Sequence, residues 1–550
     1  MKNINKNISL LIIFILITIP VVGINISAND TDSKKDIGTH PTLQLGVEYI
    51  WEENRPYKIC IFYNYNFHNP YSHINIKIQY PDSSENWNYY PDDQAGRFHF
   101  WRSSPIGSVK IKVSLIYLGE IIEQVNRQIT VRRPFGHYIE PNPNGWGDIE
   151  VLSDGEFADN FISSMTVDNS GNIHFVMNEN NNIYYKSKPL GGTWSEKELI
   201  TKECYASYHP SIFADNFGNI HVAWFESSNY SNSGWDDDVC YKMKPYNGNW
   251  TIAEIVSTES TDNAFFEHGP AICVDGFGII HIAWADDSEL CGSGEDLDIY
   301  HKSKTIVEQW VNNSVSLIST ESSDTSWNPS ITVDMHDTVH VVWADEEDYE
   351  NCGEDRDIFY KFKLNNSSIW SKAQVVSTDS FTSIYGWGSD HPSIIVDDQN
   401  VIHVIWDDDS PNLVGSGFDS DIFYKSKSFS EKWENCPIEV VSDGVYRENM
   451  YSSFDIDENG RVLVTYGEFW YDGNYRAEIY YTYKSNNTNW DESPNIQISP
   501  SGRKQGWYPV IKSTPDDKAH IIWRDYTQYN GCGNDADIFY RESLNLKSPN

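Results

Sequence analysis

The chain has 550 residues, with 80 acidic against 40 basic side chains and a formal charge of -40 at neutral pH. That balance excludes a protein built to grip nucleic acid or an anionic membrane surface. Aromatic residues make up 14% of it, including 20 Trp and 34 Tyr, a composition suited to strands packed face to face or to a surface that stacks on sugar rings.

In chain order, residues 1–28 carry Lys2 and Lys6, an apolar run from Leu10 to Val22, and polar residues ending near Ala28. The run is short for a bilayer span and reads as a secretory signal peptide. The expected mature chain is therefore secreted or held at the cell surface, with no membrane insertion. Residues 41–133 hold alternating runs such as Tyr57–Phe62, His73–Tyr80, Val109–Tyr117 and Ile121–Val131, with no helix-period segment between them. This spacing predicts a small immunoglobulin-like β-sandwich. Residues 134–145, with Pro141 and Pro143, read as a stiff linker.

Residues 146–543 repeat one unit, clearest in His209–Val256. Four short apolar runs flank the turn clusters Asn216–Asn219 and Asn247–Asn249, which describes a four-stranded antiparallel meander. Related copies begin at Ile162, His268, Asn328, His391, Tyr451 and Tyr508, and a Trp closes the second hairpin in six units, from Trp194 to Trp490. The last copy stops after its third strand, Asp537–Glu542. Gly145–Leu152, ahead of the first copy, reads like the missing Trp and fourth strand. Seven units closed in this way predict an all-β fold, a seven-bladed β-propeller with no free edge.

Propeller geometry places the inter-blade loops and the loops between strands two and three on one face, opposite the hairpin turns. Two candidate features fall on that loop face. The first is a repeated carboxylate pattern, Asp236/Asp238, Asp296/Asp298, Asp355/Asp357, Asp419/Asp421 and Asp535/Asp537, each preceded across a hairpin by Glu226, Asp286, Asp345, Asp408 or Asp525. Three converging carboxylates suit calcium, a hard cation that takes six to eight oxygens, and capping of the long loops is the competing role. The second is a ring at the channel mouth, formed by the residues that open the innermost strands together with their neighbours. Its candidate ligand-binding residues are His209, His268, Trp327, Trp387, Asp390, His391, Trp507 and Tyr508.

A third pattern is a histidine at one strand-two position in six blades: His174, His221, His281, His340, His403 and His520. Chemistry needs a catalytic base once, so this repetition reads as scaffold. Cys291, Cys352 and Cys532 share another repeat position, and their pairing is left open.

The blades resemble the sialidase-like, or BNR-repeat, propeller superfamily over about residues 146–543. The resemblance rests on the PSI-x-x-D-x-x-G-N-I-H-V-x-W and D-I-[FY]-Y-K-S-K repeats. Ser187–Trp194 also looks like an Asp-box, with Pro189 where Asp is expected. It implies a seven-bladed ring and, in sialidases, three arginines from different blades with a Tyr-Glu nucleophile and an Asp acid. The arginines here are Arg356, Arg447, Arg461, Arg476, Arg503, Arg524 and Arg541, with none in the first three blades. The fold therefore transfers and the sialidase activity does not. The sequence favours an extracellular binding protein recognising glycan or protein through its acidic, aromatic-rich face, with calcium as a helper. A carbohydrate-active enzyme, hydrolase or lyase, with its site at the channel mouth is the alternative. A single deep pocket with a perturbed Asp390, Glu267 or Tyr508 would favour the enzyme, and equivalent shallow sites repeated in each blade would favour binding.

Overall fold

The structure is a computed structural model. It describes residues 43–50, 57–65, 72–79, 84–89, 95–102, 107–117 and 120–131, and from 145 onward all but 154–159, 203, 205, 234–235, 261–268, 295, 353–354, 379, 381–387, 411–412, 417–418, 443–446, 472–474, 486–487, 489, 491–493, 501–505, 527–535 and 545–550. The signal peptide and nearly all of the linker lie outside these. Among the described residues no helix is long and apolar enough to cross a membrane.

The chain divides into two units, Met1–Pro134 and Phe135–Asn550. The first holds two antiparallel sheets. One has three strands, in the spatial order Leu43–Ile50, Tyr57–Tyr65, Ala95–Arg102. The other has four, in the order Ser84–Tyr89, Ser72–Gln79, Gly107–Tyr117, Glu120–Val131. In the four-stranded sheet Ile74, Ile76, Ile78, Ile111, Val113 and Leu115 are buried, so alternate residues of two neighbouring strands make one apolar face.

The second unit is the seven-bladed propeller. Its innermost strands are Asn160–Val167, Ser207–Ala214, Ala271–Val274, Ser326–Val333, Ser389–Val396, Glu448–Ile456 and Gly506–Thr514, for blades 1 to 7, and each blade is a four-stranded antiparallel meander. The outermost strand of blade 7 is supplied by Glu150–Val151, which pairs with Asp537–Glu542 in the register Phe539↔Val151 and Tyr540↔Glu150. An isolated bridge between Trp146 and Ser543 extends the closure. Start and end of the ring are thus held by backbone hydrogen bonds, and each blade keeps only a two-residue outermost strand as its outer edge.

Cations on strand three staple one blade to the one before. Lys186, Lys242, Lys302, Lys361, Lys425 and Arg541 reach back to the backbone carbonyls of Leu152, Ile200, Val256, Ile318, Val376 and Ile498. A buried ammonium is costly unless its three protons are taken up. At Lys302 they are, by the Val256 carbonyl at 3.0 Å, Thr258 Oγ1 at 2.8 Å and Glu259 Oε2 at 2.7 Å. Two residues further along, Lys188, Lys244, Lys304, Lys427 and Lys484 each lie over the blade-closing Trp and a Tyr of the preceding blade. Lys304, for example, is 5.2 Å from both the Trp310 and Tyr241 ring centres. Five Trp and five Tyr serve these inter-blade contacts.

The repeated histidines sit inside single blades. His221 Nδ1 lies 2.8 Å from the Tyr241 hydroxyl, and Nε2 lies 3.0 Å from Asp215 Oδ2. Asp215 also accepts backbone N–H groups from the hairpin turn it opens. The arrangement recurs around His174, His340 and His403 with Tyr185, Tyr360 and Tyr424, and around His281 with His301 in place of the Tyr. At His174 and His221 both ring nitrogens have scaffold partners, and at His281, His340 and His403 an Asp carboxylate lies 3.4–3.5 Å from Nε2.

Candidate functional site

The innermost strands do not start smoothly. Their pairing with strand two slips by a β-bulge between Tyr208 and Ser211, Trp327 and Ser330, Asp390 and Ser393, Met450 and Ser453, and Trp507 and Val510. Within each bulge one non-glycine residue takes a left-handed conformation: His209, Asn328, His391, Tyr451 and Tyr508, with φ between 49° and 57°. Each such residue costs on the order of 1–3 kcal/mol, and such strain gathers where side chains are aimed for a purpose. In blade 3 the register Ala271↔Ala283 aligns with Ser211↔Ala223 of blade 2, so Gly269, one residue after His268, holds the equivalent place. A Cβ on Gly269 would stand 2.0 Å from the His209 carbonyl oxygen, so only glycine fits there.

Around the axis these residues meet in a chain. Asn328 Nδ2 donates to Asp390 Oδ1 at 2.7 Å, the His391 ring lies 4.7 Å from Tyr451, and Tyr451 lies 4.5 Å from Tyr508. Trp507 and Phe469 complete an aromatic group, 4.7 Å from each other and each 5.8 Å from Tyr451. Trp327, Tyr451, Trp507 and Tyr508 are all half-buried, leaving ring surface open to solvent.

Blade 5 departs from its neighbours. Asp390 and Asp407 face each other across strands one and two. At Asp407's place in the register the other blades carry Asn178, Phe225, Ala285, Ala344, Gly467 and Arg524, so this acid occurs once. The next residue along strand two is an acid in every blade. Asp407 accepts from His391 Nδ1 at 2.9 Å and, more weakly, from the Tyr451 backbone N–H at 3.3 Å. Burial raises its carboxyl above the usual range against the pull of His391, and the charge of Asp390 adds to the rise. Burial acts on Asp390 too, but there His391 and Arg356, with hydrogen bonds from the His391 backbone and Asn328, win and hold it below the usual range. Arg356 Nη1 reaches Asp390 Oδ2 at 2.5 Å while its guanidinium lies 4.1 Å over the Trp327 ring. The two adjacent carboxyls are thus shifted in opposite directions, Asp390 down and Asp407 up, with His391 held by its Nδ1.

The site thus joins Trp327, Asp390, His391, Trp507 and Tyr508 from the sequence expectation and adds Tyr451, Asp407 and Arg356. His209 stays apart in blade 2, packed on Tyr208 at 5.3 Å and pushed down to about 4 by burial. Glu267, His268 and Trp387 lie outside the described residues.

The repeated carboxylates take two places. Strand-two acids lie directly opposite the second Asp of the motif, in the pairs Glu226↔Asp238, Asp286↔Asp298, Asp345↔Asp357, Asp408↔Asp421 and Asp525↔Asp537. The second Asp accepts a serine hydroxyl that follows strand four: Ser257, Ser319, Ser377, Ser442 or Ser153. The strand-two acid caps its own loop. Asp345, for instance, accepts from Trp343 Nε1, Ser322, Ser326 and the Glu347 N–H. Burial raises Asp238 and Asp298 to about 6 and Asp357 to about 7. The first acids of the motif, Asp236, Asp296, Asp355 and Asp419, stand two residues earlier at the loop end, and Asp535 lies outside the described residues. Among the described residues no group of three or more His, Cys, Asp or Glu side chains is placed to hold a metal ion.

No family model matches this chain, and no curated protein matches it. Solved structures do. An ulvan lyase of a new polysaccharide lyase family matches at 12% identity and TM-score 0.45, over 71% of this chain and 95% of that one. An α-L-arabinofuranosidase from Fusarium graminearum matches at 10% identity and TM-score 0.38, over 72% and 98%. A sialidase from Trypanosoma rangeli matches at 10% identity and TM-score 0.36, over 70% and 59%. These are likenesses of chain path, and no residue role is taken from them. The seven-bladed ring implied by the sialidase-like resemblance is present. Of the propeller's arginines, Arg461 is bound by Asp457 and Asp517, Arg447 by Glu468, and Arg541 by the backbone.

Proposed function

We propose that this protein is a secreted carbohydrate-active enzyme that cleaves a glycan at the channel mouth. Asp407 carries the catalytic proton, and His391 relays it or holds the dyad in register. The observation that carries this reading is that the Asp390–Asp407 pair occurs in one blade only, while the repeated histidines, the strand-three cations and the second Asp of the Asp-x-Asp pattern have scaffold partners. A lectin-like ring of equivalent sites would draw on groups that repeat, whereas acid–base machinery needs its proton carrier once.

The half-buried faces of Tyr451, Trp507 and Tyr508 beside the dyad supply the flat apolar surface on which a sugar ring stacks. Burial above all, with the charge of Asp390 adding to it, favours the protonated form of Asp407, and the Arg356–Trp327 stack fixes Asp390 in place.

The test is depolymerisation of a panel of neutral and uronate-containing polysaccharides. Reducing ends report hydrolysis, and ultraviolet absorbance of an unsaturated product reports elimination. Asp407→Asn and His391→Ala should each lose turnover while still binding the substrate that the wild type cleaves. A wild type that binds a glycan and never shortens it would return the protein to the binding class.

A further inference from the structure

We propose that the hairpin-turn surface of blades 1 to 4, on the side of the ring opposite the Asp390–Asp407 site, is the contact surface of a homodimer. Thirteen large hydrophobic side chains of the propeller are exposed among the described residues, and eleven of them lie in or beside these turns. Exposure runs from 40% at Ile306 to 91% at Val307, with Phe217, Tyr246, Phe277 and Ile369 between.

Aromatic side chains of blade 2 close over turns of blades 2 and 3 on this surface. The Tyr246 ring lies over Gly218, where a Cβ would stand 2.8 Å from its Cδ2, and the Phe217 ring of blade 2 lies over Gly278 of blade 3. The fold does not require apolar tips there. The same turns in blades 5 to 7 carry Asp397-Asp398-Gln399-Asn400, Glu458-Asn459 and Asp516-Asp517. One face is therefore divided into an apolar arc and an acidic arc.

A large apolar side chain has on the order of 150–200 Å² of accessible surface, so eleven at these exposures present on the order of 1,000 Å². An ordinary monomer's largest apolar patch is about 300–600 Å², and a standard interface takes about 800 Å² from each partner. A second copy of this chain supplies a patch of the same size and character, and a two-fold contact joins patch to patch. The acidic arcs of two copies repel, which excludes full face-to-face stacking and leaves an offset pairing through blades 1 to 4.

Sedimentation velocity on the full chain, over a range of concentration and salt, tests this. The expected result is a dimer whose affinity rises with salt, because each copy carries a charge of -40 and salt screens the repulsion. Val307→Ser with Ile369→Ser should raise the dimer Kd by about tenfold or more without changing the melting temperature or adding charge. Phe217→Ser with Phe277→Ser should do the same from the neighbouring blades. A wild type monomeric at every concentration and salt would overturn the proposal, and so would a dimer unaffected by both double variants. Flotation of monomer with vesicles of neutral zwitterionic lipid would also overturn it, by assigning the patch to a lipid surface.

Discussion

Asp407 and Asp390 oppose one another across the two inner strands of blade 5, both buried, and their surroundings shift their pKa values in opposite directions. His391 touches both, through its ring to Asp407 and its backbone N–H to Asp390. If Asp407 delivers a proton to the leaving oxygen, turnover falls as pH rises through its raised pKa. Asp407→Asn should lower kcat by about 10²–10⁴ and remove that descending limb. A pH profile of kcat/KM for both proteins checks this, and an unchanged limb in the variant would assign the proton elsewhere.

Asp390 acts through Asp407. Replacing it by Asn keeps an acceptor for Asn328 and the His391 N–H but deletes the charge that helps to raise Asp407. The descending limb of the Asp390→Asn profile should move to lower pH, with substrate affinity little changed. A loss of activity at constant limb position would make Asp390 only a structural partner of Arg356.

The ring and its blade count were legible in the sequence because most blades spend the same residues on the same tasks, so that the strand-two His-x-x-Trp recurs in five of the seven. The chemistry was harder to read because it is a departure from that pattern. In the run Asp407-Asp408-Asp409, adjacent strand residues point to opposite faces, and only the register tells that Asp408 caps a scaffold loop while Asp407 turns toward His391. Aligning blades by register also moves Gly269 into the place that the eye gives to His268. Strand-three lysines were passed over for a different reason. A lysine on a strand ordinarily reads as solvent-facing, and the carbonyls that receive it belong to another blade about 45 residues away.

The lysine staples should be worth measuring one at a time. Lys302→Met leaves the Val256 carbonyl and Thr258 without their donor, while the half-exposed Glu259 turns to water. The expected loss is about 1–3 kcal/mol in denaturant unfolding. Lys302→Arg should lose less, since Arg541 performs the same reach to Ile498 in blade 7. Equal losses for Met and Arg would mean that the cavity shape, and not the donated hydrogen bonds, holds the blades together.

The Asp-x-Asp belt carries the last prediction, because its acids pay an electrostatic cost in the folded ring. Burial, first of all, holds Asp357 up to about 7, above the ordinary value of 3.8, despite the Ser377 hydroxyl that it accepts. The folded state therefore binds a proton that the unfolded chain releases. Its contribution is fully present below the unfolded pKa and is lost as pH rises through the folded one, from about pH 4 to about pH 7. Asp357→Asn keeps an acceptor for Ser377 and removes the charge. It should melt higher than wild type at pH 8, and the gap should close by about pH 5 as the wild-type acid is protonated. Calcium seated among Asp345, Asp355 and Asp357 would instead hold the wild-type acid ionised, abolish the advantage of the variant at pH 8, and make the wild type lose melting temperature to chelator. Melting curves of both proteins at the two pH values, with calcium and with chelator, separate an acid that is protonated from one that is neutralised by a cation.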